Sequence, residues 1–208
     1  MTDILLIWGA GGHGKVVLDT ARSTGRFEHI VFMDDNSSRA GLTFCECSLV
    51  GGPEELHCFT GSPFIVAVGD NQTRARCFQR AIESGLIPMP LVHTTAIVSP
   101  SATIGRGTVV MAGVIINASA VIGDNCIINS GAVIEHDCTV EAHAHISPGA
   151  ILGGGVRVET LAHVGMGAVV LPGATVGEES VVGAGAVVLR EAPSRCTVIG
   201  VPAKALFH

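Results

Sequence analysis

The segment at residues 9–14, GAGGHG, has the residue types and spacing with which proteins hold phosphate groups. It follows an apolar run at 4–8 that predicts a buried strand, and a helix is predicted from the glycines to about residue 24. Glycines let the backbone approach a phosphate closely, and a helix N-terminus attracts its charge. Asp34 and Asp35 lie about 20 residues further on, where an acid that binds ribose is expected, although both also fit solvated loop acids.

Two more predicted strands, at 30–33 and 64–68, and a helix at about 72–84 complete a small βαβ domain whose ligand crevice lies at the carboxyl ends of the strands. This domain, residues 1–92, is half of a dinucleotide fold. A nucleotide or nucleotide sugar is therefore a more economical ligand than a dinucleotide. The candidate binding residues from this pattern are Gly11, Gly12, His13, Asp34 and Asp35, and Gly69 follows the third strand at the same crevice. An alternative is that the glycines only let the helix pack closely on the sheet.

His136 lies between two acids, Glu135 and Asp137. A carboxylate beside an imidazole can fix its tautomer and raise its basicity toward that of a general base. The same pattern also fits a solvated histidine at a turn.

Consecutive hexapeptides without an insertion occupy residues 96–191. The third position of each hexapeptide is Ile, Leu or Val, and the first is Ala, Thr, Val, Cys or Ser. A repeat of this kind makes one short strand and one turn, and three repeats close a triangular coil of about 18 residues. Residues that far apart are vertical neighbours, so Gly154 lies below His136 at one corner. A corner glycine leaves its backbone N–H reachable, which suits an oxyanion donor beside a base.

The outward second positions of the hexapeptides define three faces of the coil. The first face is apolar and carries Ile97, Ile115, Val133, Ile151, Val169 and Val187. The second face suits solvent and carries Thr103, Val121, Thr139, Arg157 and Thr175. The third face is apolar apart from two histidines and carries Val109, Ile127, His145, His163 and Val181. Two apolar sides predict a closed homotrimer in which each first face packs against a neighbour's third face, with the histidines in the seam.

The composition excludes several classes of protein. A net charge of −6 and a pI near 5.8 provide no long-range attraction for nucleic acid or anionic lipid. No apolar run reaches the roughly 18 residues of a membrane-spanning helix, and the first residues lack the basic region of a secretion signal, which predicts a soluble, cytoplasmic protein without membrane insertion. Seven scattered cysteines favour reduced thiols over disulfides, and we expect no metal.

The repeats resemble the left-handed parallel β-helix of the hexapeptide acyltransferases. The whole chain is similar to the bacterial nucleotide-aminosugar N-acetyltransferases and the related sialic-acid O-acetyltransferases. The stretches that carry this resemblance are 9–14, 34–35, 69–71, 129–137, 145–149 and 200–204. The resemblance implies a Rossmann-like α/β domain at 1–92 that binds a nucleotide sugar and an all-β domain at 93–208 that binds acetyl-CoA. It further implies that acetyl moves to the amino group of a nucleotide-linked 4-amino-4,6-dideoxy sugar.

The resemblance also implies roles for individual residues. His136 is the general base, and Asp137, where the family often has Glu, orients it, although Glu135 or a water can make that contact instead. Gly154 donates to the oxyanion. The residues that the resemblance implies for acetyl-CoA are His145 near the thioester, Met166 and Ala184 along the pantetheine, and Lys204 at the phosphates. Arg190 and Arg195 are further candidates for the phosphates.

No serine or cysteine is placed as a nucleophile with His136, which favours direct attack on the thioester in a ternary complex. The main alternative is O-acetylation of a sugar or sialic acid. A zinc enzyme like the γ-class carbonic anhydrases, with His145, His163 and either His143 or His136 as ligands, is a further alternative. The last alternative is a non-catalytic protein that binds a nucleotide and acts as a scaffold.

Overall fold

Short apolar runs form a parallel sheet in the N-terminal domain of the computed structural model, which describes residues 4–36, 38 and 40–206. The sheet has the order β3-β4-β2-β1-β5-β6, and only β3 runs antiparallel to its neighbour. Its strands are β1 (Ile4–Trp8), β2 (His29–Met33), β3 (Thr43–Phe44), β4 (Cys47–Leu49), β5 (Pro63–Val66) and β6 (Ile87–Pro88). The three predicted strands are the central ones, so their carboxyl ends meet at one edge.

Two α-helices flank this sheet. Helix α1 (Gly12–Thr24) begins directly at the glycine segment and ends where Gly25 adopts a left-handed conformation. Helix α2 (Asn71–Glu83) begins at Asp70, whose carboxylate accepts a hydrogen bond from the Thr73 backbone N–H. A 3-10 helix, Pro53–Phe59, follows β4.

The hexapeptides form a β-helix with three parallel sheets. The first face consists of β8 (Ile97–Val98), β11 (Ile115–Ile116), β14 (Val133–Ile134), β17 (Ile151–Leu152), β20 (Val169–Val170) and β23 (Val187–Val188). The second face consists of β9 (Thr103–Ile104), β12 (Val121–Ile122), β15 (Thr139–Val140), β18 (Arg157–Val158), β21 (Thr175–Val176) and β24 (Glu191–Ala192). The third face consists of β7 (Leu91–Val92), β10 (Val109–Val110), β13 (Ile127–Ile128), β16 (His145–Ile146), β19 (His163–Val164), β22 (Val181–Val182), β25 (Thr197–Ile199) and the antiparallel β26 (Lys204–Ala205).

The predicted coil period is confirmed by the strand register, which pairs Val133 with Ile151 and His145 with His163. The third hexapeptide positions from Val110 to Val188 are at most 2% exposed and form a continuous core. Because β7 already pairs with β10, residues 91–92 belong to the β-helix, and the junction lies slightly before the predicted boundary at 92.

The expected packing of the third face against a neighbouring subunit is wrong for part of that face. Val109 and Ile127 are 1% exposed because they share a core with α1 residues of the same chain, including Val17 and Ala21. The linker between β6 and β7 is too short to carry the N-terminal domain away, so this domain is the nearest apolar surface for the third face. The first face stays open, with Ile97 65% exposed.

Candidate functional site

The glycine segment contains two kinds of glycine. A side chain at Gly9, whose φ is +121°, would meet the Ala67 carbonyl at 2.6 Å, and one at Gly14 would collide with the Gly9 carbonyl. Close packing therefore explains these two. By contrast, Gly11 and Gly12 are exposed, and a Cβ on either would have no neighbour within 4 Å. Packing does not explain why they are glycines, and the open space at the N-terminus of α1 is compatible with the predicted close approach of a phosphate.

The two acids at the end of β2 lie beside the glycine segment, as predicted. Asp34 Oδ2 accepts a hydrogen bond from the Ala10 backbone N–H at 2.8 Å. Asp35 Oδ1 accepts one from the indole N–H of Trp8 at 2.9 Å. Both carboxylates thus hold β1 and β2 together at the carboxyl ends of these strands.

Gly69, at the end of β5, opens onto a cleft that the sequence did not predict. The cleft has a volume of about 440 Å³ and lies between the N-terminus of α2 and the third face of the β-helix. It is lined by Gly69, Asp70, Asn71, Gln72, Leu161, His163, Glu179 and Val181. The crevice of the N-terminal domain therefore continues toward the histidines of the β-helix.

Three histidines form a row across the boundary between the two domains. His13 leaves the glycine segment toward the β-helix, with its ring centroid 6.5 Å from that of His145. The His145 ring in turn stacks on His163 at 4.7 Å. Burial lowers the pKa of His13 to about 4 and that of His145 to about 3, and the Arg74 charge adds to both effects. All three are neutral at pH 7, since burial lowers the pKa of His163 as well.

His136 is placed differently, exposed at the corner between the first and second faces. Its Nδ1 donates to Asp137 Oδ2 at 2.8 Å, so Asp137 rather than Glu135 makes the contact that the sequence left open. This hydrogen bond and the Asp137 charge raise the pKa of the imidazole. With Nδ1 carrying the proton, Nε2 has the free lone pair that a general base needs.

Gly154 lies directly below this imidazole. A Cβ at Gly154 would be 2.7 Å from both Cε1 and Nε2 of His136, so any larger residue at position 154 would displace the ring from this position. The Gly154 carbonyl accepts from Gly173 N–H, while its own N–H makes no backbone hydrogen bond to another described residue. The position is therefore compatible with the predicted oxyanion donor.

The remaining predicted residues lie elsewhere on the β-helix. Met166 and Ala184 are exposed and stack at the corner between the third and first faces, where Gly185 N–H donates to the Met166 carbonyl. Lys204 is exposed on β26, whereas Arg195 pairs with Glu178 and is a weaker candidate for CoA phosphates. Within one chain, His136 is thus at a different corner from the Met166 column and away from His145 on the third face.

The described residues contain one group with metal-ligating potential, Glu55, His57 and Cys58 on the 3-10 helix. It does not include any histidine of the β-helix. The Nε2 atoms of His145 and His163 instead contact Asn129 and Ser147, at 3.2 and 2.8 Å. No helix among the described residues is long and apolar enough to cross a membrane.

Comparisons with known protein families match both domains. The PglD N-terminal domain family matches residues 4–81, and the bacterial transferase hexapeptide family matches 101–136 and 119–154. A curated relative, UDP-N-acetylbacillosamine N-acetyltransferase from Bacillus subtilis (strain 168), is 42% identical in an alignment 122 positions long that covers 51% of this chain. That match spans 50% of the relative's own length.

Solved structures match over nearly the whole chain. Perosamine N-acetyltransferase from Caulobacter crescentus, a mutant in complex with CoA and GDP-perosamine, is 40% identical with a TM-score of 0.93, covering 98% of this chain and 97% of that one. The acetyltransferase domain of PglB from Neisseria gonorrhoeae FA1090, in complex with acetyl coenzyme A, is 39% identical with a TM-score of 0.94, covering 99% and 100%.

Proposed function

The chain belongs to the PglD-like family of nucleotide-aminosugar N-acetyltransferases, and from that membership we propose that it transfers acetyl from acetyl-CoA to the amino group of a nucleotide-linked 4-amino-4,6-dideoxy sugar. The family fold has the predicted architecture, a Rossmann-like domain followed by a left-handed β-helix. Relatives bind CoA, acetyl coenzyme A and GDP-perosamine, which supports a ternary complex of the same kind here.

In the proposed reaction the N-terminal domain holds the nucleotide. The exposed amides and open space at Gly11 and Gly12 accept the diphosphate at the N-terminus of α1. Asp34 and Asp35 receive the ribose or base at the end of β2. His13 and Gly69 lie where the crevice turns toward the β-helix, which suits contact with the sugar.

The observation that carries this proposal is the arrangement of His136, Asp137 and Gly154. The sugar amine attacks the thioester carbon, the new C–N bond forms, and His136 Nε2 takes the proton that the nitrogen loses. The Gly154 N–H stabilises the oxyanion until the C–S bond breaks, and the proton on His136 then passes to the CoA thiolate. Asp137 stabilises the imidazolium between these steps.

The site is completed by a second copy of the chain in a homotrimer. His136 and the Met166–Ala184 column lie at different corners, so acetyl-CoA bound along that column of one subunit reaches the His136 of another. The open apolar first face supplies the surface for this assembly. A cytoplasmic location, where acetyl-CoA is produced, fits this function.

The decisive experiment measures thiol release from acetyl-CoA with a panel of UDP-, GDP- and dTDP-linked 4-amino sugars and sialic acid, with and without a chelator. We expect turnover with one amino sugar that the chelator does not reduce. Turnover with sialic acid alone would replace the N-acetyltransferase with an O-acetyltransferase. Absence of turnover with every acceptor, together with chelator-sensitive hydration of carbon dioxide, would overturn the proposal.

Replacing the base gives the matched mutational test. We expect His136→Ala to lower kcat by about 10² to 10⁴, the range for loss of a general base. Since the side chain is exposed, the melting temperature and the oligomeric state stay unchanged. His29→Ala, an exposed histidine at the opposite edge of the N-terminal sheet, is the control. Equal rates for the two variants would remove His136 from the mechanism.

A further inference from the structure

The first turn of α2 lies along a column of corner residues between the second and third faces. Asn125, His143, Leu161 and Glu179 occupy the same position in four successive coils, and each has a positive φ between 54° and 62°. Residues 71–74 contact all four coils. Asn71 Nδ2 donates to the Leu161 carbonyl at 2.8 Å, and Gln72 approaches the Glu179 carboxylate at 3.5 Å.

Arg74 makes most of these contacts and is 1% exposed. On the β-helix, its Nε donates to the Asn125 carbonyl at 3.0 Å and its Nη2 to the His143 carbonyl at 2.6 Å. On the N-terminal domain, its Nη1 donates to the carbonyls of Val68 and Gly69 at 3.1 and 3.2 Å. One side chain therefore joins the edge of the nucleotide crevice to two coils of the β-helix.

The guanidinium suits this place because its planar fork carries five N–H donors, and the backbone carbonyls around it come from both domains. Asn71 Oδ1 accepts a further hydrogen bond at 2.8 Å. Burial lowers the pKa of Arg74 to about 10, so the side chain is still charged at neutral pH. Burying such a charge is costly, and proteins tolerate a buried charge where every N–H group has a hydrogen-bond acceptor. The positions of the acceptors around Arg74 are therefore closely constrained.

We propose that Arg74 is a positioning residue for the nucleotide sugar. It holds the Val68–Gly69 edge of the crevice at a set distance from the coils that carry His143 and His145, and thereby aims the bound sugar along the cleft toward the acetyl-transfer site. This inference rests on the proposed function, because it assigns the crevice to the nucleotide sugar. Of the predicted acetyl-CoA contacts, only His145 lies near Arg74, whereas Met166 and Ala184 lie at another corner, so Arg74 does not hold the main part of the acetyl-CoA site.

The test compares Arg74→Met and Arg74→Lys with Arg76→Met, which removes an exposed arginine from the same helix. We expect kcat/KM for the nucleotide sugar to fall about 10- to 100-fold in Arg74→Met, the cost of displacing a substrate by about 1 Å, while the affinity for acetyl-CoA is unchanged. Arg74→Lys keeps the charge but lacks the fork, so we expect a folded protein with kcat/KM still about tenfold low. Arg76→Met behaves as wild type.

If Arg74 has only a structural role, its variants will have a lower folded fraction and will lose activity equally toward both substrates. That result would overturn the inference, and so would wild-type kinetics in Arg74→Lys. Hydrogen exchange without substrate is an independent readout. We expect the backbone amides of residues 68–71 to exchange faster in both Arg74 variants and unchanged in Arg76→Met. Should wild type acetylate no nucleotide sugar, the proposed function fails, while this exchange still shows whether Arg74 holds the crevice edge.

Discussion

The chemistry of His136 depends on which acid contacts it. Flanking acids in the sequence indicate a basic histidine but do not distinguish Glu135 from Asp137. The backbone of Asp137 has a φ of 60°, a turn conformation that brings its carboxylate to Nδ1. This single contact determines the tautomer, and it was not predictable because it depends on the local bend at a corner.

This contact has a measurable pH dependence. A base must be neutral, so kcat/KM rises with pH through the pKa of His136, which Asp137 raises above its ordinary value of 6.5. In Asp137→Asn we expect the inflection to move to lower pH and the plateau to fall, because the charge that stabilises the imidazolium is lost. Glu135→Gln is the matched control and shifts the inflection less, since its charge is the weakest contribution. A larger shift in Glu135→Gln would contradict the assignment.

At the scale of elements, the strand, glycine and helix succession at the N-terminus was predictable because each element has a local pattern. The glycine spacing alone did not separate phosphate binding from close packing. The structure shows that close packing explains Gly9 and Gly14, which are in tight backbone contact, and does not explain Gly11 and Gly12, which are open.

Two alanine variants test this distinction. We expect Gly12→Ala to leave the melting temperature unchanged or slightly raised, because alanine favours a helix over glycine, and to raise KM for the nucleotide sugar. Gly14→Ala forces a Cβ onto the Gly9 carbonyl, and we expect it to destabilise the fold by about 1–3 kcal/mol. Calorimetry and steady-state kinetics on both variants provide the measurement. A Gly12→Ala enzyme with unchanged KM would support the packing interpretation.

At the scale of the whole molecule, the first face is an apolar surface that the described part of the chain leaves uncovered. Ile151 on this face and Val121 on the second face are 42% and 48% exposed and make a matched pair. We expect Ile151→Glu to dissociate the proposed trimer and remove activity, because the charge would be buried in the proposed interface and the proposed site needs two subunits. We expect Val121→Glu to retain both the oligomeric state and the activity. Light scattering after size exclusion gives the mass, and an active trimer of Ile151→Glu would refute this arrangement.

The histidine row between the domains predicts sensitivity to acid. His13 and His145 have folded pKa values of about 4 and 3, below the ordinary 6.5, so the unfolded chain binds protons first as the pH falls. The contribution of each histidine to stability is therefore complete above about pH 6.5 and is lost as the pH falls to about 4 for His13 and about 3 for His145. At about pH 5 the loss is roughly 2 kcal/mol per histidine.

Urea unfolding at about pH 7 and pH 5 measures this loss as a change in the free energy of unfolding. We expect His13→Gln to reduce the difference between the two pH values, and His29→Gln, on an exposed position, to leave it unchanged. The same pH dependence in His13→Gln and wild type would show that His13 does not contribute.

The sequence by itself determined the β-helix, its coil register and core, and the βαβ order of the first domain. These follow from periodic or local patterns, since the inward positions recur every hexapeptide and each strand or helix is encoded by its own residues. The proposed roles of the site residues remain predictions that the experiments above test.

Only the tertiary structure decided how the two domains meet. The N-terminal domain, not a neighbour, covers Val109 and Ile127, His13 lies against His145, and Arg74 joins the crevice to the coils. Such contacts join residues that lie far apart in the chain, such as Arg74 and His143, which are 69 residues apart, and His13 and His145, which are further apart still. They leave no period in the sequence, because they depend on the relative placement of two surfaces that each form first from local patterns.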